Sequence, residues 1–200
     1  MGAADIRQST RDLEQRFGFQ LSPRELAALP PFLALLEKWN HKINLTGRAD
    51  AVLVLGDHIF EALWAARHFV SSGSSIADIG SGAGFPGLFL ALATGARTVL
   101  IESQHKRAGF LREATRAMAL SARVYEGRAE EYPDWNSIEI ASVRALRLSP
   151  DLLAPLHHNR VDLLWFHTLE TPAPAQYWRE CRTLTVPGSR QRRVTLLQPV

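Results

Sequence analysis

The 200-residue chain has one cysteine, three lysines and no long apolar run. Cys181 has no partner, so no intrachain disulfide forms, which suits a reducing cytoplasm. No apolar stretch reaches the length of a membrane span. The segment Met1–Arg7 lacks the apolar core of a signal peptide, and Ile6 breaks the myristoylation pattern after Gly2. Internal repeats and low-complexity tracts are missing. So are a Ser-His-Asp or Cys-His arrangement and a metal-ligand cluster. The expectation is a cytoplasmic protein with no membrane and no metal. Lysine occurs only at Lys38, Lys42 and Lys106, so the basic balance (net charge +3, pI about 9.4) is carried by arginine. Arginine suits bidentate phosphate contacts and base stacking, and a charge of this size permits RNA binding without requiring it.

What the chain does have is glycine in one place. Residues 76–87 read Ile-Ala-Asp-Ile-Gly-Ser-Gly-Ala-Gly-Phe-Pro-Gly. Gly80, Gly82 and Gly84 follow a short apolar run and precede a helical pattern whose first turn accepts Pro86. Glycines there let the backbone turn sharply and approach a ligand closely. A strand ending in such a loop and feeding a helix is the nucleotide-binding corner of a doubly wound sheet. Glu102 ends the next strand-like run, about 20 positions on, where a ribose-binding carboxylate is expected.

Two registers compete. Gly80-x-Gly82-x-Gly84 after Asp78 suits S-adenosylmethionine, and Gly82-x-Gly84-x-x-Gly87 satisfies the dinucleotide pattern. Asp78 favours the first, because a carboxylate beside the loop repels a pyrophosphate and suits a ligand bearing an ammonium and a sulfonium. No Lys or Arg lies between Arg67 and Arg97 to offset a diphosphate.

Periodicity places this loop in a two-part chain. Over residues 1–72 the pattern is helical: a short helix over 9–17, and a capping box at Ser22-Pro23-Arg24-Glu25 that opens another. Pro30 and Pro31 are expected to interrupt that helix and open a new one, with Phe32, Leu35, Leu36 and Trp39 on its apolar face. A further helix is expected over Asp57–Val70, and the break at 71–75 begins the α/β part, residues 73–200. Strands are expected at Ile76–Ile79, Arg97–Ile101, Arg123–Glu126, Ile138–Val143 and Val161–Phe166, with helices at Pro86–Ala93 and Lys106–Ala119. Such alternation argues for a parallel sheet. Arg182–Val186 and Arg193–Leu197, joined at Pro187-Gly188-Ser189, read as a closing hairpin.

These residues resemble the bacterial small-subunit rRNA methyltransferase G family, also called glucose-inhibited division protein B, from about Phe32 to Leu197. The resemblance is carried by Lys38-Trp39-Asn40-His41-Lys42-Ile43-Asn44-Leu45-Thr46, by His58-Ile59-Phe60-Glu61-Ala62-Leu63, by the loop from Asp78 to Gly87, and by Ser142-Val143-Arg144-Ala145. It implies the class I S-adenosylmethionine-dependent methyltransferase fold: α/β, Rossmann-like, with a mostly parallel sheet ending in an antiparallel hairpin and an N-terminal helical extension. It also implies methyl transfer to N7 of a guanine in 16S rRNA, free or in a 30S ribosomal particle, by a monomer. By motif, Gly80 and Phe85 would lie against the cofactor, with Asp78, Gly82 and Gly84 in the same loop. Glu102, followed by Ser103, would hold the ribose, and Ala129-Glu130 would frame the adenine. Arg144 would stand at the cofactor and catalytic cleft. The chain departs from the family at His167-Thr168, where Lys-Gly is usual, and at Arg147-Leu148-Ser149-Pro150.

Guanine N7 carries a lone pair and no proton, so this transfer needs positioning and no base. Arg144 suits a phosphate, the guanine O6 or the cofactor carboxylate, or an ion pair buried at a strand end. On the substrate side the candidates are Asn44, His58, Pro86 and His167. His58 equally suits a packed or capping role, and Asn44 and Thr46 equally suit a helix cap. His157-His158 is expected in a solvated loop. For RNA phosphates the available cations are Lys38, Lys42, Arg48, Arg190, Arg192 and Arg193.

Overall fold

The computed structural model describes residues 3–46, 54–172, 174 and 177–200; Arg48 lies outside the described residues. Seven strands form one sheet: β1 Ser75–Ile79, β2 Arg97–Glu102, β3 Ala122–Glu126, β4 Ile140–Arg144, β5 Asp162–Thr168, β6 Trp178–Thr185 and β7 Arg192–Pro199. Their order is β3-β2-β1-β4-β5-β7-β6. The first five are parallel, β7 runs antiparallel to β5, and β6 pairs antiparallel with β7. The expected parallel sheet with a terminal hairpin is therefore present, and the strand order reverses between β1 and β4, where ligands bind in open α/β sheets.

The helices are α1 Ala3–Phe17, α2 Pro23–Ile43, α3 Glu61–Phe69, α4 Gly87–Thr94, α5 His105–Ala117 and α6 Pro150–His158, with a π-helical turn at Leu55–Phe60 leading into α3. Helix α2 begins as expected: the Ser22 hydroxyl accepts from the Glu25 amide, and the Glu25 carboxylate accepts from the Ser22 amide. It then continues through Pro30 and Pro31, contrary to the expected interruption. Both prolines are exposed, so the carbonyls deprived of a donor lie toward water. The buried face, Glu25, Ala28, Leu29, Phe32 and Leu36, runs on unbroken. Helix α6 replaces the expected loop at His157-His158: Ser149 caps it, accepting from the Leu152 amide, and Pro150 opens it.

Alternate strand residues feed two cores. On one face Ile76, Leu100, Leu164 and Phe166 meet helices α2 to α5. On the other, Ala77, Ile79, Val143, Leu163 and Trp165 meet Leu152 and Leu156 of α6. Helix α4 (Gly-Leu-Phe-Leu-Ala-Leu-Ala-Thr) is apolar almost all round, as a helix enclosed between the sheet and an outer helical layer must be. Phe32 of α2 joins that layer to the rest; it is fully buried, with ring centroids 5.6, 5.0 and 6.2 Å from Phe85, Phe89 and Phe110. Glu25, only 2% exposed, accepts from Arg67 of α3 at 2.8 Å through both oxygens, and Arg67 also covers the Phe19 ring. Phe32→Ala should cost about 3–5 kcal/mol of unfolding free energy in urea titrations, since it empties the junction of four elements.

Candidate functional site at the ends of β1, β2 and β4

After Ile79 the chain turns out of the sheet through Gly80 (φ +68°), Gly82 (φ +53°) and Gly84 (φ +85°). Gly80 and Ser81 donate to the Ile101 carbonyl at the end of β2, and Gly84 donates to Ser81 at 2.6 Å. A Cβ on Gly84 would collide with the Leu88 side chain, so both dihedral and space demand glycine. Gly87 is required for closeness alone: a Cβ there would stand 2.6 Å from the Asp78 carboxylate and 2.6 Å from Leu100. It brings the start of α4 down onto β1 and β2. Gly80 is exposed; a Cβ on it would lie 2.5 Å from Leu146, which follows β4 and lies over the loop.

Asp78 does not open onto the cleft. It is 1% exposed beneath the loop, and its Oδ1 accepts from the hydroxyl of Ser142, its cross-strand partner on β4, at 2.7 Å. Oδ2 has no hydrogen-bond partner. Burial pushes the Asp78 carboxyl up to about 6 against the pull of its hydrogen bonds. The carboxylate that the sequence offers to a ligand ammonium is thus enclosed beneath the loop, which it supports from below. Glu102 does face the loop. Its Oε2 accepts from the Gly82 amide at 2.9 Å and its Oε1 from the Gln104 amide at 2.8 Å, and each oxygen keeps a further lone pair. Ser103 is exposed beside it. Ala129 and Glu130 lie in a 3-10 turn beyond β3; Ala129 is buried, its carbonyl accepting from the Trp135 indole, and Glu130 is exposed.

Phe85 turns toward the helical layer. Its ring stacks on His58 (centroids 4.9 Å apart, 24° between planes) and on Phe89 (5.5 Å, 12°). Pro86, after a cis peptide, is buried at the start of α4. His58 Nδ1 is buried without a partner, and desolvation, with the nearby Arg144, holds its pKa down to about 4. The ring is therefore neutral at physiological pH.

Arg144 ends β4 inside an ionic cluster. Its Nη2 donates to the Asp57 carbonyl at 2.8 Å and lies 3.4 Å from Glu61 Oε2. Arg192, at the start of β7, donates to Glu61 Oε2 at 2.9 Å and to Asp57 Oδ1 at 2.7 Å. Burial raises the Glu61 pKa, and the two guanidiniums oppose that rise. Of the readings open for Arg144, the ion pair at a strand end is present, with Nη1 buried and unpartnered. Arg192 is engaged here as well, and so is not free for RNA.

The structure thus gathers Asp78, the glycines, Phe85, Pro86, Glu102, His58 and Arg144 at the C-terminal ends of β1, β2 and β4. Asn44 is the left-handed C-cap of α2, exposed, its amide donating to the Asn40 carbonyl. His167 ends β5 on the opposite face from Arg144, since Arg144 pairs with Phe166. Sequence reasoning missed Asp57, Glu61, Ser142 and Leu146. The first two carried one signal, an acidic pair one helical turn apart. Among the described residues no cluster of three or more His, Cys, Asp or Glu is placed to hold a metal ion, and no helix is long and apolar enough to cross a membrane.

The profile of the family described as rRNA small subunit methyltransferase G matches residues 25–166. The ribosomal RNA small subunit methyltransferase G of Cereibacter sphaeroides is 38% identical over 131 residues, covering 63% of this chain and 63% of that protein. Its namesake in a Janthinobacterium strain is 30% identical over 195 residues, covering 90% and 86%. Against the Cereibacter relative, then, the chain spans less than two thirds of the length. Among solved structures, a SAM-dependent methyltransferase from Aquifex aeolicus superposes with a TM-score of 0.60 at 14% identity, covering 86% of this chain and all of that one. A mutant of MtNAS in complex with S-adenosylmethionine gives 0.61 at 13%, covering 84% and 72%. At these identities the likeness is one of fold.

Titration of the site should show in stability. The His58 pKa is lowered on folding, so its contribution is full above about 6.5 and is lost as pH falls toward about 4. The Asp78 pKa is raised, so its contribution is full below about 4 and is lost as pH rises through about 6. In urea titrations across pH 4–7, His58→Gln should remove a loss of stability on acidification, and Asp78→Asn should remove a gain.

Proposed function

Since the chain belongs to the rRNA small subunit methyltransferase G family, we propose that it transfers a methyl group from S-adenosylmethionine to N7 of a guanine in 16S rRNA, acting as a cytoplasmic monomer on the free RNA or a 30S particle. The observation that carries this reading is the glycine loop bound to Glu102 at the switch point of the sheet.

The residues fit the cofactor. Gly80 offers an exposed backbone face for close approach, and Glu102 keeps lone pairs for two ribose hydroxyls. Ser103 and the turn at Ala129-Glu130 border the same end of the sheet, where the adenine would lie. No Lys or Arg lies between Arg67 and Arg97 to offset a diphosphate, which favours S-adenosylmethionine over a dinucleotide. When bound, the cofactor supplies an electrophilic methyl group.

The chain's part is to hold and orient. N7 needs no deprotonation, so placement in line with the methyl carbon supplies most of what the transfer requires. Leu146 lies over the loop at Gly80. His58, stacked on Phe85, packs the loop against the helical layer. Arg144 fixes the end of β4 against the helical layer; it acts as a positioning residue. The extension over 1–72, packed on the core of 73–200, carries Asp57, His58 and Glu61, and so completes the site.

A second reading keeps the same chemistry on a different RNA or a small molecule. It draws on the family match ending at Phe166, one residue before His167. Incubation of the protein with labelled cofactor and either 30S particles or naked 16S rRNA, followed by nucleoside analysis, should yield 7-methylguanosine. A labelled product of another kind would favour the second reading, and no cofactor binding by calorimetry would remove both. Glu102→Gln should weaken cofactor binding by roughly tenfold, the cost of one charge-assisted hydrogen bond, with the change measured by the same calorimetry.

A further inference from the structure

The last residues of β5 carry an arrangement that the cofactor site does not use. His167 lies flat on Trp165, ring centroids 3.8 Å apart and planes 10° apart, and Trp165 is only 3% exposed beneath it. Both ring nitrogens are engaged. Nδ1 meets the Thr168 carbonyl at 3.0 Å and Nε2 meets the Thr195 hydroxyl at 2.8 Å. Thr195 in turn meets the Thr183 hydroxyl at 2.7 Å, and Thr183 donates to Glu180 at 2.7 Å.

The direction of this chain can be worked out from its ends. A carboxylate only accepts, so the single proton of Thr183 goes to Glu180. Thr195 must then donate to Thr183, and accept from His167 Nε2. Nδ1 faces a carbonyl and must also donate. All of these hydrogen bonds are made at once only by an imidazolium. Burial, the largest influence, holds the ring's pKa below its ordinary value despite the Thr168 carbonyl and Glu180, so the neutral ring donates at one nitrogen only. The stack on Trp165 and the remaining hydrogen bond fix its plane.

Hydrogen bonds to imidazole nitrogens lie in the ring plane, so both edges that carry nitrogen are taken. One face is taken by Trp165. Against the other face no aromatic ring lies among the described residues, and His167 keeps part of its surface exposed. The position is half-buried, at the same end of the sheet as the glycine loop, with β4 between β5 and β1. Residues 169–177, which cross from β5 to β6, form no helix over it among the described residues. Directly across on β7 stands Arg193, half-buried, its Nη1 donating to the Arg190 and Arg192 carbonyls.

We propose that the His167–Trp165 stack is a platform on which an unpaired nucleobase of the acceptor RNA lies face to face, with Arg193 beside it for the adjoining phosphate. Unstacked bases are bound by proteins in this way, on aromatic faces next to cations. The proposal rests on the reading of the chain as an RNA methyltransferase, and it names where that RNA is gripped outside the part matched by the family, which ends at Phe166. The clamp from Thr195 to Glu180 orients the platform and takes no part in chemistry.

The experiment is binding of short single-stranded RNA carrying 2-aminopurine, whose emission is quenched when it stacks. Three proteins are compared, the wild type, His167→Gln and His167→Phe, with cofactor affinity by calorimetry as the control for folding. Wild type should quench the probe. His167→Gln, which keeps hydrogen bonding without a ring, should bind roughly tenfold more weakly; His167→Phe, which keeps the ring without the clamp, should stay within about twofold of wild type if stacking is the main contribution. Unquenched binding by wild type, unchanged affinity in His167→Gln, or an equal loss in His167→Phe would each overturn the platform. Wild-type methyl transfer to 16S rRNA is measured separately. Its absence alongside normal quenching removes the substrate reading and leaves the platform; its presence alongside unchanged affinity in His167→Gln does the reverse.

Discussion

The carboxylate of Glu61 lies between two guanidiniums, and the shape of the site depends on that contact. Glu61 sits on helix α3, Arg144 at the end of β4 and Arg192 at the start of β7. One buried acid therefore fastens the helical layer both to the parallel part of the sheet and to its antiparallel hairpin. Isolated in the core such a charge would cost several kcal/mol, and the cluster is tolerable because it is nearly complete: two cations, two anions and a backbone carbonyl satisfy one another. Arg144 Nη1 is the exception. A wholly apolar junction would hold the layers together as well. The charges add direction, since a guanidinium fork accepts partners only in its plane.

A second buried carboxylate works by different means. Asp78 has no cation in contact, only Ser142 and the close start of α4, and burial lifts its pKa accordingly. The glycine at position 87 lets the helix come near enough to enclose it. Glu102, one strand over, spends its charge on the amides of the loop itself. The loop is thus braced from below by one acid and from the side by another, and both braces come from strand ends whose positions the parallel register determines.

Much of this was legible in the amino-acid sequence. The alternation of apolar runs with helical stretches, the capping box at Ser22 and the turn at Pro187-Gly188 each express a local preference, and local preferences survive folding. The features that were not legible depend on neighbours distant in the chain. Pro30 and Pro31 read as a break, but their effect turns on which side of α2 faces water. Asp78 read as a ligand group because the loop follows it, whereas its register with Ser142, 64 residues away, turns it inward. Arg192 read as a free cation for RNA, and Glu61, 131 residues away, occupies it. Helix α6 was overlooked because it is short and contains Pro155, which left Ser149-Pro150 as its one clear signal.

The family match ends at Phe166, and the contacts on either side of that point differ in kind. The matched segment, residues 25–166, contains the loop, Glu102, the Asp57–Arg144 contact and β1 to most of β5, the parts that build the proposed cofactor site and seat the helical layer. Those parts are tied to one another by Glu61 with Arg144 and by Asp78 with Ser142, and Arg192 carries the first of these ties beyond Phe166 to β7. The crossover to β6 spans nine residues, 169–177, and forms no helix among those described. On β5 and β7, His167 meets Thr195, Thr195 meets Thr183 of β6, Thr183 donates to Glu180, and Arg193 donates to the Arg190 and Arg192 carbonyls. Those contacts stay within β5, β6 and β7, whereas the loop and the helical layer are held by Glu61, Asp78 and Glu102. The two sets meet at Arg192 and Arg193, neighbours on β7, where Arg193 donates to the Arg192 carbonyl.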